Sequence, residues 1–235
     1  PSTMSSGQKG RALYCALMTA DTSPAWSAAL ASWYAKPETI STLPGASTTV
    51  PFYKYLLIVP TFGWLYVGFV TFVMTGFSNA VNLTDGLDGL APGLMAIAIA
   101  TLAIFAYIMG RSDTSQALLV FYLRGSSELT VFCAAVFGAC LGFLWYNSHP
   151  AEVFMGDTGS LALGGALSAV AILLKSEFLL LIIGGVFVTE TFSVVIQRSM
   201  FKWRRRRYGI DYARTHRVFK RAPVHHHFEL AGWPE

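Results

Sequence analysis

The run Asn79-Ala-Val-Asn-Leu-Thr-Asp-Gly-Leu-Asp-Gly-Leu90 leads straight into 90–110, a stretch without one charged residue. Crossing a bilayer takes roughly 20 mostly apolar residues, and this stretch meets that length. Residues 55–78, just before the run, are likewise uncharged. Two carboxylates and two carboxamides therefore lie in a glycine-punctuated loop between two predicted membrane spans. Ionisable groups beside hydrocarbon are costly, so their retention points to a ligand, an ion or a metal.

Working outward, further uncharged stretches cover 129–146 and 160–174, and 178–197 is broken only by Glu190. A sixth candidate, 12–35, contains Asp21 and Pro24. Of the 235 residues, 54% are hydrophobic and 13% charged, against about 25% charged in an average soluble domain. The expected fold is all-α, a polytopic transmembrane helix bundle forming a single membrane domain over 1–235. Residues 37–51, rich in Thr, Ser, Pro and Gly, suit a small extracytoplasmic hairpin or extended loop.

Ten of the 17 Lys and Arg residues fall between Arg198 and Arg221, including Arg204 to Arg207. A basic block directly after a span marks the cytoplasmic side more simply than it marks a nucleic-acid contact. Counting back through alternate spans puts Lys9 and Arg11 inside and 37–51, 111–128 and 175–177 outside. The loops 79–90, 147–160 and 198–235 then share the cytoplasmic face, and they hold nearly every candidate catalytic residue. Cys133 and Cys140, seven positions apart on one predicted helix, are separated by roughly 10 Å, too far for a disulfide. With Cys15 they read as buried thiols.

Asp85 and Asp88 are three apart, so a helical turn would set them on one face. Such a pair serves a divalent cation or a general base, or else simply caps a helix and closes a turn. In Gly156-Asp157-Thr158-Gly159-Ser160 a helix opens with free backbone N–H groups, a phosphate-binding arrangement. Asp157 there suits Mg²⁺, or Asp157 or Thr158 is a plain cap. Pro223-Val-His-His-His-Phe-Glu229 carries three adjacent imidazoles that cannot all face one ion. One or two turned toward a diphosphate, or a solvated surface, are the alternatives. Glu190 either lines the active-site cleft or serves a hinge or an interhelical hydrogen bond.

Together these segments resemble the phospho-N-acetylmuramoyl-pentapeptide transferase family, in the polyprenyl-phosphate N-acetylhexosamine-1-phosphate transferase superfamily. The matching stretches begin at Asn79, at Pro150 (with Asn147 before it) and at Pro223, the last ending Phe-Glu-Leu-Ala-Gly-Trp-Pro-Glu235. The resemblance implies an enzyme of the bacterial inner membrane, acting at its cytoplasmic face in peptidoglycan synthesis. It would join UDP-N-acetylmuramoyl-pentapeptide to undecaprenyl phosphate, giving lipid I and UMP with Mg²⁺. A sister activity on N-acetylglucosamine-1-phosphate is the alternative, and the His triplet argues against it.

By position, Asp157 would hold Mg²⁺ with Asn82, and Asp85, Asp88 and His226 would complete the catalytic centre. Asn79, Asn147, Phe154, Gly156, His225 and His227 would contact substrate, with Asn147 and Phe154 on the uridine. A groove near Glu190 would take the polyprenyl tail, and a homodimer is implied. The family's adjacent Asp-Asp pair is absent from this sequence, and Arg204 to Arg217 lengthens the basic segment. The chain is therefore read as a fragment lacking the early spans and the final one, with a truncated, non-catalytic remnant as a further alternative.

Overall fold

The computed structural model describes residues 47–50, 57–58, 63–118 and 120–233. The expected span 12–35 with Asp21, together with Lys9, Arg11, Cys15 and most of 37–51, lies outside them. Two short strands, β1 (Thr48–Thr49) and β2 (Leu57–Ile58), pair antiparallel with Thr48 opposite Ile58. The helices follow as α1 (Gly63–Thr84), α2 (Leu90–Met109), α3 (Ser112–Ala117), α4 (Glu128–Asn147) and α5 (Gly156–Leu173). They continue as α6 (Glu177–Ile183), α7 (Gly185–Tyr208), α8 (Ile210–Thr215) and α9 (Val224–Glu229). Among the described residues, α1, α2, α4 and α5 are long and apolar enough to cross a membrane, and α6 with α7 forms a fifth, broken candidate. The chain is a polytopic helical membrane protein.

Three boundaries differ from the sequence reading. The hairpin reaches past residue 51 and takes Leu57 and Ile58, which the apolar run from Tyr55 had assigned to a span. Hydropathy alone does not separate a short apolar strand from the start of a helix. α1 correspondingly runs on to Thr84, so Asn79 and Asn82 sit on a helix rather than in a loop. Local bonding permits this: Asn79 Nδ2 donates to Thr75 O at 2.7 Å and Thr84 Oγ1 to Ala80 O at 2.8 Å.

The third difference is at Gly184, where the expected span 178–197 bends by 83° between α6 and α7. Two consecutive glycines weaken a helix. A Cβ on Gly184 would come within 2.6 Å of the Phe77 ring and 3.0 Å of Leu180 O, so the site admits nothing larger. α7 then carries Arg204 to Arg207 in helical form, where a loop was expected.

α2 packs chiefly on α4, and α1 on α5, around a core that includes Val81, Met95, Ile99, Leu102, Leu167 and Phe187. Cys133 and Cys140 are buried free thiols, as read from their spacing. The connections separate to two ends of the bundle. At the hairpin end, Thr49 N donates to Lys175 O at 2.9 Å, and buried Glu177 accepts from Thr48 Oγ1 and from Tyr66 OH (2.7 Å). A buried carboxylate is tolerated when such donors surround it.

The α1–α5 contact positions the opposite end. A Cβ on Gly164 would lie 2.6 Å from Phe77 O and Ser78 Cα, so the two backbones touch directly. Ser78 Oγ adds a 2.8 Å bond to Leu161 O. Close approach over small residues and interhelical hydrogen bonds is how helices associate in lipid. Gly164→Ala is expected to destabilise the bundle by about 1–3 kcal/mol through overpacking, read as a lowered unfolding temperature in detergent. Gly165→Ala, where a Cβ meets nothing within 4 Å, should leave that temperature unchanged or raise it. Equal effects would contradict the close contact.

Candidate active site

Because α1 and α5 run antiparallel, the last turn of α1 meets the first turn of α5. Asn82 Nδ2 donates to Asp157 Oδ1 at 3.0 Å and to Ser160 Oγ at 2.9 Å. Gly156 opens α5 at φ 69°, a left-handed conformation that suits glycine. The residue capping α5 is Met155, with no side-chain cap bond. Asp157 therefore does not act as the cap. Its carboxylate accepts from the Asn82 amide instead.

Asp85 follows α1 directly. Its carboxyl is pushed above the ordinary range, first by burial and then by the negative charge of Asp157. Two carboxylates are thus close enough to repel, and a cation between them would relieve the repulsion. Among the described residues, no three His, Cys, Asp or Glu side chains form a ready-made metal cage. Mg²⁺ does not need one, since it binds through one or two carboxylates plus substrate phosphates and water. The oxygen donors of Asp157, Asp85 and Asn82 fit that requirement.

Asp88 does something different. The segment 85–89 is a chain of turns, with Gly86 N bonded to Thr84 O and Leu90 N to Leu87 O, and Gly89 at φ 73°. It is not a helical turn, so the expected shared face for Asp85 and Asp88 does not form. Asp88 Oδ2 accepts from Ala151 N at 3.0 Å and lies 3.2 Å from His149 Nδ1. It clamps the 147–155 loop against the turn. Buried Asn147 makes the matching bond from the other side: its Oδ1 accepts Gly89 N at 3.0 Å and its Nδ2 donates to Val153 O at 2.8 Å. A direct uridine contact by Asn147 would compete with both. Phe154, on the loop so held, is 75% exposed.

The three imidazoles separate. His225 is buried against Glu190, with Nδ1 3.1 Å from Oε2 and side-chain exposures of 5% and 4%. The approach is a close contact and not an aligned hydrogen bond, and neither ring nitrogen has a hydrogen-bond partner among the described residues. The far edge of the ring abuts Gly86, where a Cβ would lie 2.5 Å from Nε2. His226 borders the same point, its Nε2 3.5 Å away, and its Nδ1 pairs with Glu229 at 2.8 Å. That bond, first among its neighbours' influences, holds the exposed Glu229 carboxyl below its usual range. His227 Nδ1 accepts Lys220 N at 3.0 Å and faces away.

Two expected site residues thus meet at Gly86, beside Asp85, while His227 braces the strap before α9. Asn79 stays exposed one turn before Asn82, bonded to its own helix. Glu190 is buried, its carboxylate covered by His225. Sequence reasoning left out Ser160 and His149 as individual contributors, and read Gly86 only as a residue of a tight turn. The signal for Gly86 was present in the missing side chain, but its partner lies far along the chain.

Removing one member of a buried pair strands the other. Glu190→Ala should cost about 3 kcal/mol of stability, and the double variant with His225→Ala less than the sum of the singles. A thermal-unfolding cycle in detergent reads this, and strict additivity would show that the pair is uncoupled.

The sequence pattern of Glycosyl transferase family 4 matches residues 25–175, a stretch that includes Asn82, Asp85, Asp88 and Asp157. A protein of Gemmatimonas aurantiaca named phospho-N-acetylmuramoyl-pentapeptide-transferase is 71% identical over 199 residues, 83% of this chain and 52% of the relative. Proteins of the same name from Desulfotalea psychrophila and Chloroherpeton thalassium are 51% and 50% identical, over 80% and 81% of this chain. The chain spans about half the length of the curated relatives it matches. With the pattern covering well over half of its residues, the chain belongs to glycosyl transferase family 4.

Proposed function

We propose that the protein carrying this chain transfers phospho-N-acetylmuramoyl-pentapeptide from its UDP-sugar to undecaprenyl phosphate, yielding lipid I and UMP. The observation that carries the reading is the meeting of Asn82, Asp85 and Asp157 at one end of a membrane bundle, with His225 and His226 alongside. The names borne by the relatives support the same reaction. The basic block from Arg198 to Arg221 supports a cytoplasmic location for that end, where a sugar nucleotide is available.

In this reaction an oxygen of the lipid phosphate attacks the sugar-linked phosphorus, and the bond from that phosphorus to the UMP oxygen breaks. Catalysis of this kind rests on alignment and on stabilising charge as it develops. Mg²⁺, held by Asp157 with Asn82 and Asp85, would neutralise the diphosphate. The free N–H groups at the start of α5 offer further donors to its oxygens. Asp85, whose carboxyl is raised by burial and by the charge of Asp157, would share the cation with Asp157 and so lose that repulsion when the diphosphate binds. His226, partly exposed and braced by Glu229, would approach the diphosphate from the Gly86 side. Asp88 and Asn147 act through the loop they hold, which presents Phe154 as a flat apolar surface for a base.

The test is Asp157→Asn in a protein of the relatives' full length that carries this chain. Mg²⁺-dependent UMP release should fall by about 10²–10³-fold, the usual effect of losing one preorganised stabilising group. Wild-type rates would overturn the assignment, and release from UDP-N-acetylglucosamine alone would redirect it to the sister activity.

A further inference from the structure

A polar cleft of about 500 Å³ lies between α7 and the strap 216–222. Arg198 and Lys202 of the helix and Arg217 and Arg221 of the strap line it, over a floor that includes Val194 and Phe201. Gln197 holds the strap: its Oε1 accepts Val218 N (3.2 Å) and Phe219 N (3.0 Å), and its Nε2 donates to Phe219 O at 3.2 Å. None of the four cations makes a salt bridge with an acid among the described residues. Four like charges around one cavity repel each other and favour anionic groups held among them.

The cleft shares a face of α7 with the anchor of the candidate active site. Glu190, Val194, Gln197 and Phe201 recur there at helical spacing. Glu190 meets His225, whose far edge abuts Gly86 beside Asp85. Arg221 precedes His225 by four residues. The apolar residues that the helix leaves exposed, Phe192, Val195, Ile196 and Trp203, fall on the opposite face. The cations are thus turned away from the hydrocarbon side and toward the segment that carries the imidazoles.

These positions fit one part of the sugar-nucleotide donor. A muramoyl group acylates the amino end of its peptide, so the other end keeps a free carboxylate. Guanidinium forks match the two oxygens of a carboxylate, and the apolar floor suits the side chains between. Glu190 and Arg198 are eight positions apart, a rise of about 12 Å along a helix. A peptide of five residues extends to about 17 Å. An arm rooted on a sugar near the Gly86 turn therefore reaches the cleft.

We propose that this cleft is the subsite for the peptide arm of the donor, its cations taking the peptide's carboxylates. The inference rests on the transferase reading and adds to it the place where the peptide is recognised.

Initial rates of UMP release by a protein of the relatives' full length that carries this chain test it. Two donors are compared: UDP-N-acetylmuramoyl-pentapeptide, and the same molecule with every peptide carboxyl converted to a carboxamide. R217Q/R221Q should raise KM for the natural donor about 10-fold, the effect of two partly exposed ion pairs, with kcat changed less than about twofold. The wild type should show a similar rise with the amidated donor, and the variant no further rise with it, because both changes remove the same contacts. R205Q/R206Q, with the same charge change outside the cleft, should raise KM less than about twofold. Should R217Q/R221Q lose the cooperative unfolding of the wild type, R198Q/K202Q on the helix serves in its place. Independent losses from the variant and from amidation would overturn the proposal, as would an unchanged KM or an equal rise in R205Q/R206Q. A fall in kcat alone, or a raised KM for undecaprenyl phosphate instead of the donor, would also overturn it and leave the transferase reading intact. No UMP release from either donor by the folded wild type would overturn that reading, and the subsite with it.

Discussion

The direct contact between α5 and the backbone of α1, allowed by the bare Cα of Gly164, sets the position of everything at the site end. With Gly164 against Phe77 and Ser78, the antiparallel helices bring Asn82 to Ser160 and Asp157 about one turn further on. A side chain at 164 would hold α5 away from α1 and open that gap. Gly184 repeats the device against the Phe77 ring, which turns α7 so that Glu190 reaches His225. Two glycines on one phenylalanine residue thus govern where two of the three polar segments arrive.

Once there, the polar groups divide by how completely they are satisfied. Asp88 and Asn147 are bonded to backbone and keep a loop in place. Glu190 and His225 are buried together, a costly pair that anchors the distant His segment on the turn at Gly86. Asp157 and Asp85 are the exception, since the negative charge of Asp157 adds to burial in raising the Asp85 carboxyl. An arrangement that leaves two carboxylates in mutual repulsion while its neighbours are paired is suited to a cation and an anionic substrate.

Much of this was legible in the chain. The spans 90–110 and 129–146 were read within about two residues of α2 and α4, because uncharged runs of that length have few alternatives. The chemical types at Asn82, Asp85 and Asp157 stood out because polar groups are costly beside hydrocarbon. What the chain did not show were effects of contact. Tyr55 onward reads as a span until Leu57 and Ile58 pair with β1. The bend at Gly184 depends on Phe77, more than a hundred positions earlier. Asp85 and Asp88 share a spacing but not a role, since the turns between them follow no helical period.

The most direct measurement is the distance from a bound divalent ion to each end of the bundle. Mn²⁺ with UMP, added to protein bearing a nitroxide at Ser148 or at Ser112, reports it by spin-relaxation enhancement. The ends of α2 are about 30 Å apart, so the two labels should differ clearly. The account predicts strong enhancement at Ser148, weak enhancement at Ser112, and loss of both in Asp157→Asn. Stronger enhancement at Ser112, or an unchanged pattern in that variant, would contradict it.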